Sequence, residues 1–278
     1  AKWGSNSRAT QDYDYIKNPA QYYEVYYQAL KNYYIDGGKS EYEAHVAANK
    51  GLIDGSTGLA YNVYSVPEGQ YMIGVNGKLN PAATMGNVVS YGGEEYLLTA
   101  DNWLDAAYKN STRQEYNVSV SGSSDKISAL ASFGYLNNKG IIDGSNMYRY
   151  TARVRTDYQA KEWLKFGANV SYTNYNWNNG NSDEGSAGSV GNIFGFATMV
   201  APIYPVFLRN ADKSIKYDQY GNMRYDFGDG SNAGLSRPIS GNANALQTVT
   251  LDTNNSEGNA INGTGYLEID FLKDFKFT

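Results

Sequence analysis

The chain has 278 residues, a formal net charge of −5, one histidine and no cysteine. The absence of cysteine excludes disulfide frameworks and thiolate metal sites, and a single histidine excludes a His-rich metal centre. The acidic balance argues against a nucleic-acid-binding protein, which normally presents a basic face. Tyrosine and glycine are abundant, with 27 and 30 residues, while only 18% of residues are charged. This composition favours an all-β protein that faces a polar medium on one side.

Two helices are predicted in the first hundred residues. Asn18 and Pro19 form a typical helix start, and apolar residues follow at helical spacing, so we expect a helix over about residues 18–35. Ser40 and Glu43 have the spacing of a capping box and predict a second helix over about residues 40–51. His45 falls inside that helix and is interpreted as a surface or packing residue.

The second half of the chain contains segments in which apolar and polar residues strictly alternate. Such alternation predicts strands of a sheet with one apolar face and one wet face. Most segments have about 9–11 residues, the length of a tilted strand that crosses a bilayer. No run of apolar residues is long enough for a transmembrane helix. The strand segments are residues 115–122, 126–136, 148–158, 164–172 and 265–271.

The connections between these segments alternate in length. Tight turns are predicted near Ser124, near Lys161 and at Lys273–Asp274, and longer loops connect the opposite strand ends. This asymmetry is typical of outer-membrane barrels, although a secreted β-sandwich with uneven loops would also explain it. Closed barrels have at least about eight strands, and open edges cannot lie in lipid, so we expect a piece of a longer polypeptide.

Four cations are predicted to share the wet face of this sheet. Arg149, Arg153 and Arg155 alternate with apolar residues on one strand, and Lys165 lies on the next strand. On a lipid-facing surface each cation would cost about 2–4 kcal/mol at the bilayer midplane, so we expect all four to face a lumen. There they would be either salt-bridged wall residues or contacts for a plug or a solute.

Few other features indicate chemistry. The segment 226–232 is rich in Asp and Gly but lacks EF-hand spacing, which favours a glycine-rich turn over a cation site. The pairs Asp183–Glu184 and Asp226/Asp229 are interpreted as solvated loop charges rather than a catalytic pair. No catalytic residue, metal ligand or cofactor is therefore predicted. Aromatic residues between the strands, including Tyr175, Trp177 and Tyr204, would either contact sugars or partner proteins or pack within the loops.

Seven short strings, in this order, resemble the SusC/RagA-like TonB-dependent outer-membrane transporters of Bacteroidetes. Each string alone is a modest signal, whereas their order and spacing extend over nearly the whole chain. They are PAQYYE (19–24), DNWLD (101–105), QEYNVSVSG (114–122), FGYLNNKGII (133–142), YRY (148–150), WLKFGANVS (163–171) and APIYPV (201–206).

The resemblance implies a large antiparallel transmembrane β-barrel of about 22 strands with a plug in its lumen. Family members import oligosaccharides or peptides across the outer membrane, with a SusD-like lipoprotein lid and force from the TonB system. The plug and the TonB-contacting segments would lie outside this chain, and the protein would not be an enzyme. Tyr175, Trp177 and Tyr204 would be loop contacts to lid or cargo. A secreted or surface aromatic-rich glycan-binding β-module remains the alternative.

The strand pattern and the alternating connection lengths divide the chain into parts, which the resemblance places in the early barrel. Residues 1–5 would end a strand, and residues 6–112 would form a large extracellular loop that carries both helices. Residues 113–175 would supply four strands with short periplasmic turns. Residues 176–263 would form a second extracellular loop, and residues 264–278 a strand, a turn and the start of another strand.

Overall fold

A computed structural model of the protein describes residues 1–9, 14–179, 192–251, 254–272 and 274–278. The chain divides into two compact units, each assembled from segments distant in sequence. Unit 1 consists of Ala1–Ala9, Lys109–Asn181 and Asp252–Thr278, and unit 2 of Thr10–Tyr108 and Ser182–Leu251. The helices are α1 (Pro19–Asp36), α2 (Glu41–Leu52), α3 (Trp103–Ala107), α4 (Ile193–Met199) and α5 (Ala245–Leu251).

Antiparallel strands dominate the fold. In chain order they are β1 (Lys2–Asn6), β2 (Tyr64–Ser65), β3 (Thr84–Met85), β4 (Asn87–Tyr91), β5 (Glu94–Leu98), β6 (Ser111–Ser123), β7 (Ile127–Lys139), β8 (Ser145–Lys161), β9 (Leu164–Asn179), β10 (Asp229–Asn232), β11 (Leu235–Ser236), β12 (Asn255–Phe271) and β13 (Phe275–Phe277). Within the described residues, unit 1 is one seven-stranded sheet in the order β1-β6-β7-β8-β9-β12-β13. Each strand therefore pairs with the next strand of unit 1 along the chain.

The two predicted helices are confirmed, together with the capping that predicted them. The Asn18 side chain accepts hydrogen bonds from the backbone of Ala20 and Gln21 at the start of α1. At α2 the Ser40 hydroxyl accepts from the Glu43 backbone, while the Glu43 carboxylate accepts from the Ser40 backbone. These bonds satisfy backbone N–H groups that have no partner inside the helix. No helix in the described ranges is both long and apolar enough to cross a membrane.

The predicted boundaries of the second long loop are wrong. Strand β9 continues to Asn179, and β12 begins at Asn255, well before the predicted strand start at 264. The connection therefore spans residues 180–254. Residues 255–263 are rich in Asn and Gly, which have low strand propensity, so the sequence pattern did not reveal them. Their continuous pairing with β9, from Asn255 opposite Asn178 to Gly263 opposite Val170, overrides that propensity.

Unit 2 brings the two long insertions between sheet strands into one core. Tyr23, Tyr27 and Leu52 of the first insertion are buried, as are Ile203 and Val206 of the second. Backbone pairing also joins them, because the amide of Leu97 donates to the carbonyl of Arg209 at 3.0 Å. The two predicted loops thus fold together as a single unit rather than as two separate loops.

Candidate functional site: the two faces of the sheet

One face of the sheet of unit 1 is apolar and exposed. Val120, Ala131, Val154 and Val170 lie side by side on adjacent strands from β6 to β9. The side chains of Val120, Val154 and Val170 are 69%, 55% and 50% exposed. Soluble proteins rarely expose a continuous apolar surface of this kind, so the face requires an apolar environment.

The opposite face is polar. Its central row places Ser132, Arg153, Ser171 and Asn262 side by side on β7, β8, β9 and β12. Arg149 and Arg155 project to this face because they are separated from Arg153 by even numbers of residues. Lys165 joins them, since it lies opposite Gln159 and Glu268. All four cations predicted to share one face therefore do so.

The four cations differ in their partners. The Arg155 Nε lies 3.3 Å from a carboxylate oxygen of Asp157. The Arg153 Nε donates a 2.7 Å hydrogen bond to Asn169, and the Lys165 Nζ lies 5.8 Å from the centre of the Tyr266 ring. Within the described part of the chain, the Arg149 guanidinium makes no hydrogen bond or ion pair. The salt-bridged interpretation therefore applies to Arg155, but not to Arg149 or Arg153.

A tyrosine on the polar face, which the sequence analysis did not single out, holds this cluster together. The Tyr266 hydroxyl donates a 2.5 Å hydrogen bond to Asp157. Its ring occupies the space that a Cβ on Gly167 would need. Tyr175 covers Gly258 in the same way. Glycines at positions 167 and 258 were the available sequence signal, because a glycine inside a strand often marks a close approach of another group.

Tyr175 and Trp177 lie on a strand rather than in a loop, which corrects the predicted loop assignment. Both belong to the last part of β9 and face the polar side, where Tyr175 lies opposite Arg149 and Trp177 opposite Met147. Trp177 is 48% exposed. The sequence pattern predicts that this strand ends at 172, because the Asn-rich sequence that follows has low strand propensity.

Tyr204 is not available for the predicted contact with lid or cargo. Its side chain is only 2% exposed, and its hydroxyl donates a 3.0 Å hydrogen bond to the carbonyl of Leu59. The Trp103 indole donates to the Tyr204 carbonyl at 2.9 Å. Burial raises the pKa of Tyr204 above its ordinary value. The side chain therefore packs within unit 2, and the contact prediction for this residue is withdrawn.

The predicted glycine-rich turn at 226–232 contributes Asp226 to a buried charge pair, so the interpretation of Asp226 as a solvated loop charge is wrong. Asp226 accepts hydrogen bonds from the hydroxyl of Tyr61, the amide of Asn232 and the backbone N–H of Gly228, at 3.0, 2.7 and 2.7 Å. The Arg237 Nε lies 3.8 Å from Asp226, and both side chains are completely buried. Gly228 has φ +63°, and a Cβ there would overlap Arg237. No local sequence pattern marks Arg237, because the rings that it lies against, Trp103 and Tyr204, are distant in the chain.

The Arg237 guanidinium also lies 5.8 and 5.6 Å from the ring centres of Trp103 and Tyr204.

His45, predicted to be a surface or packing residue, is buried and packs against α1. Its Nδ1 lies 2.7 Å from the hydroxyl of Tyr27. Among the described residues no group of three or more His, Asp or Glu side chains could hold a metal ion.

The pair Asp183–Glu184 and Lys273 of the last predicted turn lie outside the described residues.

Known proteins with similar sequences are TonB-dependent receptors. No family model matches the chain. The TonB-dependent receptor SusC of Bacteroides thetaiotaomicron is 24% identical over 180 residues, which cover 63% of this chain and 17% of SusC. The TonB-dependent receptor P26 of Formosa agariphila is 24% identical over 187 residues, 67% of this chain and 16% of P26.

The chain thus spans less than a fifth of the curated relatives it matches. Among solved structures, that of the RagAB peptide transporter is similar, with a TM-score of 0.44 and 24% identity over 63% of this chain and 17% of that chain. The RagAB peptide importer in its open-open state gives a TM-score of 0.44 and 25% identity over the same shares. The chain is a distant homologue of the SusC/RagA TonB-dependent receptors over part of their length.

Proposed function

We propose that this chain forms part of the barrel wall and the extracellular region of an outer-membrane TonB-dependent importer. The importer takes up oligosaccharides or peptides and works with a SusD-like lipoprotein lid. The observation that carries this proposal is the two-faced sheet, with an exposed apolar face on one side and arginines on the other. Homology to TonB-dependent receptors supports it independently.

The apolar face is best explained by contact with outer-membrane lipid. A secreted β-sandwich, the competing interpretation, would cover this face with a second sheet, whereas Val118 and Ile261 are among its most exposed residues. Aromatic rings also cluster towards both ends of the strands, where outer-membrane barrels carry their aromatic girdles. The ring centres of Tyr135 and Tyr150 lie 5.0 Å apart towards one end, and those of Tyr158 and Phe166 lie 5.3 Å apart towards the other.

The lengths of the connections indicate which ends of the strands face the cell exterior. Tight turns join β6 to β7 and β8 to β9, whereas both long insertions leave from the opposite strand ends, after Asn6 and after Asn179. Outer-membrane barrels have short periplasmic turns and long extracellular loops. Unit 2 is therefore assigned to the cell exterior, the side on which a lipoprotein lid would dock. TonB would act through segments outside this chain.

Uptake by living cells tests the proposal. The gene for the full-length receptor is deleted, and uptake of a fluorescent maltooligosaccharide and a fluorescent oligopeptide is measured with and without TonB. We expect energised uptake of one of these solutes, lost on deletion and restored by the intact gene. Recovery of the receptor in the soluble fraction, or uptake of both probes that does not depend on the receptor or on TonB, would contradict the proposal.

A further inference from the structure

The middle of the polar face carries positive charge that the described strands do not neutralise. Among the described residues four carboxylates lie on this face, and each is engaged by a cation other than Arg149 and Arg153. Glu115 pairs with Arg113 at 2.7 Å, Asp157 with Arg155 at 3.3 Å, and Lys276 lies 2.7 and 3.6 Å from Glu268 and Asp270. None of these contacts involves Arg149 or Arg153, whose side chains are exposed.

Arg153 lies among small side chains. Arg153 lies between Ser132 and Ser171, and Thr151 separates it from Arg149 on the same strand face. The Cα atoms of the two arginines are about 13 Å apart along the strand, so their side chains can reach successive parts of one extended solute. No bulky residue lies directly beside Arg153 in its row of the sheet.

The geometry of Arg153 leaves its best donors available. Its Nε is held by Asn169 at 2.7 Å, which fixes the plane of the guanidinium and leaves both terminal nitrogens free within the described residues. Two parallel N–H groups in that plane match a carboxylate bidentately, which is the strongest form of charge-assisted hydrogen bond. Arg149 has the aromatic ring of Tyr175 directly opposite it, which provides a surface for the apolar part of a solute.

We propose that Arg149 and Arg153 bind carboxylates of the transported solute, so that the cargo is an acidic oligomer. The inference rests on the proposed import function and narrows its substrate class. A neutral oligosaccharide would not require guanidinium groups without partners, whereas a carboxylate-bearing chain would neutralise them. The carboxylates come either from acidic side chains of a peptide or from uronic acids of a sugar, and the test separates these two sources.

The test uses the full-length receptor purified with its lid, and two pairs of probes. One pair is a pentapeptide with glutamates and the same peptide with glutamines, and the other is trigalacturonate and its methyl ester. In one pair we expect the acidic probe to bind at least about tenfold more tightly than its neutral counterpart, which corresponds to about 1.4 kcal/mol. The pair of probes that shows the preference identifies the source of the carboxylates. Added salt should weaken the binding of the acidic probe in that pair.

Arg149→Gln and Arg153→Gln should each reduce that preference about tenfold, and Arg153→Lys should recover only part of it, because a lysine cannot bind bidentately. Lys161→Gln makes the same change of charge at the far end of β8 and should leave the preference intact.

Three results would overturn the inference: no preference in either pair, no binding of either acidic probe, or unchanged preference in both arginine variants. A loss of thermal stability without solute, together with an unchanged preference, would mean that the arginines pair with carboxylates of the receptor itself. If TonB-dependent uptake of a neutral probe persists in any of these cases, the import function stands and only the acidic cargo is rejected.

Discussion

The hydroxyl of Tyr61 donates a 3.0 Å hydrogen bond to the carboxylate of Asp226, a residue 165 positions later in the chain. Tyr61 belongs to the first insertion and Asp226 to the second. Arg237, buried beside Asp226, contacts Trp103 of the first insertion and Tyr204 of the second through their rings. This buried group therefore joins the two insertions, and we expect the stability of unit 2 to depend on it.

Removal of the buried cation should destabilise unit 2 strongly. Arg237→Gln leaves Asp226 charged without its partner in a buried site, a change that typically costs about 3–5 kcal/mol. Lys78→Gln is the control, because the Lys78 side chain is 68% exposed and pairs with Glu24 at 2.9 Å. This substitution should cost less than about 1 kcal/mol. Limited proteolysis of the full-length receptor measures the difference. Equal resistance of the two variants would refute the fastening role of Arg237.

The stability of unit 2 should fall in mild acid because of His45. Burial lowers the pKa of His45 below its ordinary value of 6.5, and the nearby Lys31 acts in the same direction. The unfolded chain then binds the proton more readily than the folded chain, so this contribution is present above pH 6.5 and is lost as the pH falls through the folded pKa. Protonation also makes both ring nitrogens of His45 donors, so that Nδ1 can only donate to the Tyr27 hydroxyl 2.7 Å away.

The measurement compares melting temperatures of the full-length receptor at pH 7.5 and pH 5.5, for the wild type and for His45→Gln. Glutamine can form a hydrogen bond with Tyr27 in either direction but does not titrate, so the variant should lose less stability on acidification. An identical acid sensitivity in both proteins would show that His45 does not contribute.

Local patterns predicted the elements that depend on neighbours in sequence. Alternation identified β6 to β9 and placed Arg153 and Val154 on opposite faces, and capping residues identified α1 and α2. The core of unit 2 could not be predicted, because Arg237, Trp103 and Tyr204 meet only through folding of distant segments. The burial of Tyr204 could not be predicted for the same reason, because an aromatic side chain fits both a binding loop and a core.

The glycine beneath Tyr266 should not tolerate a side chain. In Gly167→Ala the new Cβ would overlap the Tyr266 ring and approach Asp157, which should cost about 1–3 kcal/mol as an overpacked site. Gly263→Ala on the paired strand is the control, since its Cβ meets no atom within 4 Å, and should change stability by less than about 0.5 kcal/mol. Heat-dependent gel mobility of the receptor folded into bilayers reports the difference. Similar behaviour of both variants would show that the ring moves aside at little cost.

Unit 2 should be accessible from outside the cell. The turn between β4 and β5 offers a tag site, because Gly92 and Gly93 have φ +59° and +83° and a Cβ at either position meets no atom within 4 Å. An epitope inserted there should be bound by antibody on intact cells. Binding only after the outer membrane is broken would reverse the proposed direction of the strands.

The account depends most on the assignment of the two sheet faces to lipid and lumen. Val154 lies between Ala131 and Val170 on the apolar face, and its neighbour Arg153 lies between Ser132 and Ser171 on the polar face. The direct measurement is the free energy of folding of the full-length receptor into lipid bilayers for Val154→Arg and Arg153→Gln. We predict a loss of about 2–4 kcal/mol for Val154→Arg and a much smaller loss for Arg153→Gln. Equal losses at the two positions, or a larger loss at Arg153, would contradict the membrane assignment.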